Sequence, residues 1–153
     1  MKALLPRLLA LSLCLLAFAG CMGGVRLNSI SVEIIEVRKG PSAGEIGMTV
    51  RYSNENVIPI AIDHTSHKVY VNGKLLGKCL SNSPVGLPPT KFIDEKLVLK
   101  IEDKALLADL VAKASSQTAS YKLETRIFVK SGEEDLDSRA SNTGALDLRK
   151  LAD

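Results

Sequence analysis

Tryptophan is absent from this chain, and only three phenylalanines and three tyrosines occur among its 153 residues. Few flat faces are left on which bases or sugar rings could stack. An excess of one charge is missing too: 20 basic against 17 acidic residues give +3. With no basic cluster, the electrostatic footprint of a nucleic-acid binder is absent, so no nucleic-acid partner is expected. No P-loop and no dinucleotide glycine pattern occurs, and no serine sits in G-x-S-x-G. The only histidines, His64 and His67, follow Asp63 in a polar stretch with no third nitrogen or sulfur ligand beside them. Asp63 to His67 therefore reads as a solvated loop rather than a metal site. Glu133, Glu134, Asp135 and Asp137 lack the D-x-D-x-D-G spacing of a calcium loop and read as a solvated acidic turn. These absences exclude the common enzyme classes. The expectation is a non-catalytic chain with no cofactor and no metal.

Long apolar runs are also missing. The longest, Leu8 to Ala19, has twelve residues. As a helix it would span roughly 18 Å, short of the roughly 30 Å of a bilayer core. Lys2 and Arg7 before it and small residues after it mark an export signal. The run ends Phe18-Ala19-Gly20-Cys21, which resembles the bacterial lipobox of an apolar residue, two small ones and cysteine. That resemblance implies cleavage after residue 20, a diacylglyceryl group on Cys21, fatty acylation and attachment to a membrane. A plain secretory peptide and a retained helical anchor are the alternatives. Because Met22 rather than Asp follows Cys21, the sorting pattern favours the outer membrane, facing the periplasm, if the source is Gram-negative. Losing Lys2 and Arg7 from the 20 basic residues leaves 18 against 17 acidic ones. Cys14 leaves with the signal, so Cys79 stands alone in an oxidising compartment and reads as a buried, inert thiol.

Alternation dominates the remainder. Ile30, Val32 and Ile34 share one parity and Ile35 and Val37 the other, the trace of a bulge in a strand over Leu27 to Val37. Ile46, Met48, Val50 and Tyr52 form a second strand. Val57 to Ile62 reads as a third, with Pro59 marking a bulge or an edge. The polar corner Ser53-Asn54-Glu55-Asn56 lies between them. Asn72-Gly73 predicts a type I′ hairpin in which Tyr70 faces Leu75 and Val69 faces Leu76. Ser81 to Thr90, with three prolines, reads as a loop or polyproline crossing. A strand over Ile93 to Ile101 follows, then a helix capped by Asp103 with Leu106, Leu107, Leu110, Val111 and Ala114 on one stripe. Tyr121, Leu123, Thr125, Ile127 and Val129 form another strand, and one near Ala145 to Leu148 closes the chain. About seven strands and one short helix predict an all-β sandwich of two antiparallel sheets.

Five pieces taken in order resemble the late embryogenesis abundant type 2, or WHy domain, family. They are Val50 to Asn56, Ile58-Pro59-Ile60, Tyr70-Val71-Asn72-Gly73-Lys74, Leu87-Pro88-Pro89 and Tyr121-Lys122-Leu123. Asn54, Asn56, Pro59, Tyr70, Asn72 and Gly73 carry the motif, and Glu55 stands where the family has proline. The resemblance implies an immunoglobulin- or fibronectin-like sandwich without catalytic residues, acting in desiccation and water-stress tolerance. The chain then divides into a signal peptide over 1–20, a lipidated tether over 21–26 and a sandwich domain over 27–149. Its partners would be the membrane, through the lipid on Cys21, and envelope proteins or lipid headgroups met by weak contacts. The alternative is an accessory interaction module of an envelope complex, using a sheet edge or the Pro-rich crossing.

Overall fold

The computed structural model describes residues 29–114, 118–131 and 134–151. Cys21, the signal segment and the tether lie outside the described residues. Eight strands follow one another: β1 (Ile30–Lys39), β2 (Glu45–Asn54), β3 (Ile60–Val71), β4 (Lys74–Ser81), β5 (Val85–Leu87), β6 (Phe92–Ile101), β7 (Thr118–Ser131) and β8 (Glu134–Asp147). A helix, α1 (Lys104–Ala112), lies between β6 and β7, and a 3-10 turn over Arg149–Leu151 follows β8.

Every strand pairing is antiparallel, and the ladder runs β1-β2-β6-β4-β3-β7-β8 with β5 added on β3. Its β4–β6 link consists only of Gly77 opposite Ile101 and Lys78 opposite Lys100. At that weak seam the ladder folds over into a three-stranded layer, β1-β2-β6, facing a four-stranded layer, β4-β3-β7-β8. The predicted sandwich is therefore present, with eight strands. Gly77 makes the close approach possible, because a Cβ there would stand 2.2 Å from the carbonyl oxygen of Lys100. On the opposite side the ladder's ends meet. The Tyr121 hydroxyl accepts a hydrogen bond from the Ile34 backbone N–H at 3.2 Å, and Lys150 pairs with Glu36.

The core lies between the layers, filled by inward residues of alternate parity such as Val50, Tyr52, Ile62, Val71, Leu99, Leu123 and Ile127. The parity switch of β1 is a bulge: register shifts between Ile34 and Glu36, which leaves Ile35 exposed and Val37 buried. Asp103 caps α1, its carboxylate accepting from Leu106 N–H at 2.9 Å. The helix buries Leu106 and Leu110, with Ala114 just beyond it, whereas Val111 faces outward, so the apolar stripe is narrower than the spacing suggests.

Four local readings need correction. Asp63 to His67 is the middle of β3, not a loop, and a register shift between Ile62 and His64 turns Thr65 and His67 inward. The third strand starts at Ile60, so Val57 to Pro59 belong to the preceding turn. The Pro-rich crossing contains β5, whose Leu87, Gly86 and Val85 pair Ile60, Ala61 and Ile62. The last strand begins at Glu134 and pairs β7 without a register shift from Ser131–Glu134 to Thr118–Asp147. It is an edge strand of mostly exposed polar residues, so the apolar alternation that betrays a half-buried strand is missing from it.

Candidate functional site

The motif residues occupy the two ends of β3. At one end Asn54, at the close of β2, is buried and holds the corner together. Its side-chain amide donates to the carbonyls of Ile58 (2.9 Å), Leu87 (3.2 Å) and Pro88 (3.1 Å). Its Oδ1 accepts from the Asn56 backbone N–H at 2.9 Å and from Asn56 Nδ2 at 3.0 Å. One side chain thus ties the corner to the crossing that runs past it. An amide suits this place because it both donates and accepts. The backbone completes the knot: Asn54 N–H bonds Lys91 C=O, Thr90 N–H bonds Asn56 C=O, and Glu55 N–H bonds Ser29 C=O. Pro59, exposed, directly precedes β3.

At the other end Asn72 (φ 49°) and Gly73 (φ 79°) take the left-handed conformations that a type I′ turn requires. Tyr70 faces Leu75 as the motif predicts, but Val69 faces Gly77 rather than Leu76, because the register shifts between Val69 and Tyr70. Tyr70 points outward and donates to Glu124 at 3.2 Å. Twelve residues of β3 separate the two groups, roughly 40 Å at 3.3 Å per residue. The motif residues therefore define two ends of a body and do not converge on one centre. Cys21 lies outside the described residues.

What the sequence reading missed is a buried polar seam between the layers. Tyr52 of β2 donates to Glu95 of β6 at 2.9 Å and lies 3.0 Å from His67 Nε2 and 3.2 Å from Thr65 Oγ1. His67 Nδ1 meets Thr125 Oγ1 of β7 at 2.9 Å, and Ser81 of β4 donates to the other Glu95 oxygen. Five strands contribute to this chain of bonds. Burial pushes the His67 imidazole down to about 4, so it is neutral at neutral pH. Burial also pushes the Tyr52 phenol upward and, with the Glu95 carboxylate adding to it, the Cys79 thiol up to about 12. Within the seam His67 and Tyr52 are uncharged at neutral pH, and Cys79 is no thiolate nucleophile. One signal could have revealed it: Thr65 and His67 share the parity of buried Val69 and Val71.

His64 projects to the other face of β3. It stacks on Phe128 at 4.0 Å and meets Asp63 Oδ2 at 2.9 Å. The two histidines are thus on opposite sides of the strand, and among the described residues no three His, Cys, Asp or Glu side chains gather to hold a metal ion. The outer face of the four-stranded layer carries a shallow concavity of about 520 Å³ edged by Lys68, Glu124, Arg126 and Arg139. Ion pairs of Lys122 with Glu124 and of Arg126 with Asp137, each at 2.7 Å, give that face mixed charge. Asp137 of the acidic run is engaged there, and Glu133 lies outside the described residues.

No family model and no curated protein matches the sequence. Solved structures do match the fold. The solution structure of an Arabidopsis thaliana protein aligns with TM-score 0.61 at 15% identity, covering 83% of this chain and 85% of that one. The solution structure of a candidate late embryogenesis abundant protein aligns with TM-score 0.52 at 13% identity, covering 94% of this chain and 83% of that one. At such identities the likeness establishes a common β-sandwich architecture, one that a late embryogenesis abundant-like protein also adopts.

Proposed function

We propose that this chain is a late embryogenesis abundant type 2 lipoprotein, held on the cell envelope by a lipid on Cys21. It acts without catalysis in tolerance of water loss, shielding envelope proteins or lipid headgroups by weak surface contacts. The single observation that carries this reading is the architecture shared, over 94% of this chain, with the candidate late embryogenesis abundant protein. Two features of the body agree with work at low water activity. Among the described residues no buried side-chain nitrogen or oxygen lacks a partner, so the interior's polar side chains are satisfied within the chain itself. Outside, ion pairs such as Arg51–Asp94 at 2.8 Å join the strands, and such pairs strengthen as the surrounding dielectric falls.

Drying a labile enzyme with and without this protein tests the protective role. Recovery should exceed that given by an equal mass of an inert globular protein; equal recovery would reject the proposal. The anchor has a separate test, since Cys21→Ala should abolish acyl labelling and release the chain from the membrane fraction.

A further inference from the structure

The corner end of the sandwich presents exposed apolar side chains. Val57 is 85% exposed, Ile58 38% and Phe92 57%. They share one end of the body, because Phe92 pairs Ser53 beside the corner and Asn54 N–H bonds Lys91 C=O. Their outward presentation is imposed. The Asn54 amide holds the Ile58 carbonyl at 2.9 Å, which keeps the turn from folding its apolar residues back onto the core.

The chain enters the fold at the same end, where Ser29 C=O accepts from Glu55 N–H at 2.9 Å. Seven residues lie between Cys21 and Ser29, so the two are at most about 28 Å apart when the eight peptide steps are fully extended. That reach is shorter than β3 is long, so an anchor at Cys21 would hold the corner, not the Asn72-Gly73 hairpin, nearest the headgroups.

We infer that the Val57–Ile58 turn and Phe92 insert into the interfacial layer of the lipid bilayer, making a second, apolar contact beside the acyl chains. This rests on the lipoprotein reading above for the origin of the tether. Amphipathic surfaces bind membranes through buried apolar area plus attraction to anionic lipid. Here the second contribution is small. Exposed Lys91 is offset by exposed Glu55, and Arg51, which lies 4.0 Å over the Phe92 ring, is already paired with Asp94. The contact is therefore apolar, and it fixes which face of the sandwich looks away from the membrane. The acyl chains on Cys21 supply the hold, and the added contact sets how the body is oriented on the membrane.

Absence of tryptophan from the chain makes a single introduced one a clean reporter. The full acylated chain carrying Val57→Trp is reconstituted in phosphatidylethanolamine–phosphatidylglycerol vesicles containing lipids brominated near the headgroup. Its emission should shift to the blue and be quenched several-fold more than that of Lys74→Trp at the opposite end. Equal quenching of the two would overturn the inference. The mass of Cys21 in the same sample judges the anchor separately. If Cys21 proves unmodified, the tether reading fails, while the reporter still decides the loop contact on the unmodified chain. In the full acylated chain, Phe92→Trp should be quenched like Val57→Trp, adding Val57→Asp with Ile58→Asp should lower that quenching several-fold, and salt should leave it nearly unchanged. Unaltered quenching in the aspartate variant, or a steep loss with salt, would sink the apolar contact.

Discussion

Replacing Asn54 offers the sharpest test of how the corner is held. Asn54→Ala removes a side chain that meets three carbonyls and two donors of Asn56. Two amide hydrogens shared among three carbonyls, together with two accepted bonds, amount to about four net bonds at about 1 kcal/mol each. Water can reach the half-exposed turn and replace part of this, which leaves a loss of about 2–3 kcal/mol. For a body of roughly 120 residues, whose unfolding entropy is about 0.25 kcal/mol/K, that lowers Tm by about 10 °C. Asn54→Asp is the harsher variant although it is nearly isosteric. Its carboxylate still accepts from Asn56 but presents an anionic oxygen, with no donor, to three carbonyls. At neutral pH it should cost about 1–2 kcal/mol more than alanine does. Burial against carbonyls raises the folded-state pKa of that aspartate, so the extra loss should shrink as pH falls and a donor is regained. Urea and thermal unfolding followed by circular dichroism at pH 7 and pH 4.5 read both effects. An alanine variant within 0.5 kcal/mol of the parent would refute the role given to Asn54, and so would an aspartate variant no worse than alanine.

Three further outcomes follow from the interior. His67 is held near 4 in the fold against an ordinary 6.5, so between those values the unfolded chain binds the extra proton. Stability should be complete above pH 6.5 and fall toward pH 4 by on the order of 3 kcal/mol; His67→Gln should flatten that dependence in urea titrations. The Cys79 thiol, pushed up to about 12, should resist iodoacetamide at pH 8 in the folded chain and react in urea; peptide mass mapping that finds rapid native labelling would contradict its burial. Gly77→Ala would place a methyl against the Lys100 carbonyl, cost about 2–3 kcal/mol and loosen the β4–β6 seam, which faster hydrogen exchange in β4 would report.

Much of the architecture was legible because it is written in near neighbours. Alternation in Ile46 to Tyr52 and in Tyr121 to Val129 marks strands whose apolar face turns into the core. The same logic exposed the β1 bulge, since Ile34 and Val37, three residues apart, cannot share a face without an extra residue between them. Asn72-Gly73 and Asp103 also acted as local signals, because a left-handed turn and a helix cap each depend on one or two side chains. Where these signals stopped, so did the reading. In β3 the inward positions Thr65 and His67 are polar, and in β8 the strand is a wet edge; periodicity of apolar residues cannot find either.

Residue order alone was enough to specify alternating strands, their turns and a two-layer body. It could not place Tyr52 against His67, Glu95 against Ser81, or Ser29 beside Glu55, for these contacts join segments brought together only when the layers close. Local propensity acts over a few residues, whereas a buried hydrogen bond between distant strands depends on how every intervening turn is resolved. For that reason the buried polar seam, and the exposed apolar end at which Ser29 enters the fold, are properties of the folded body.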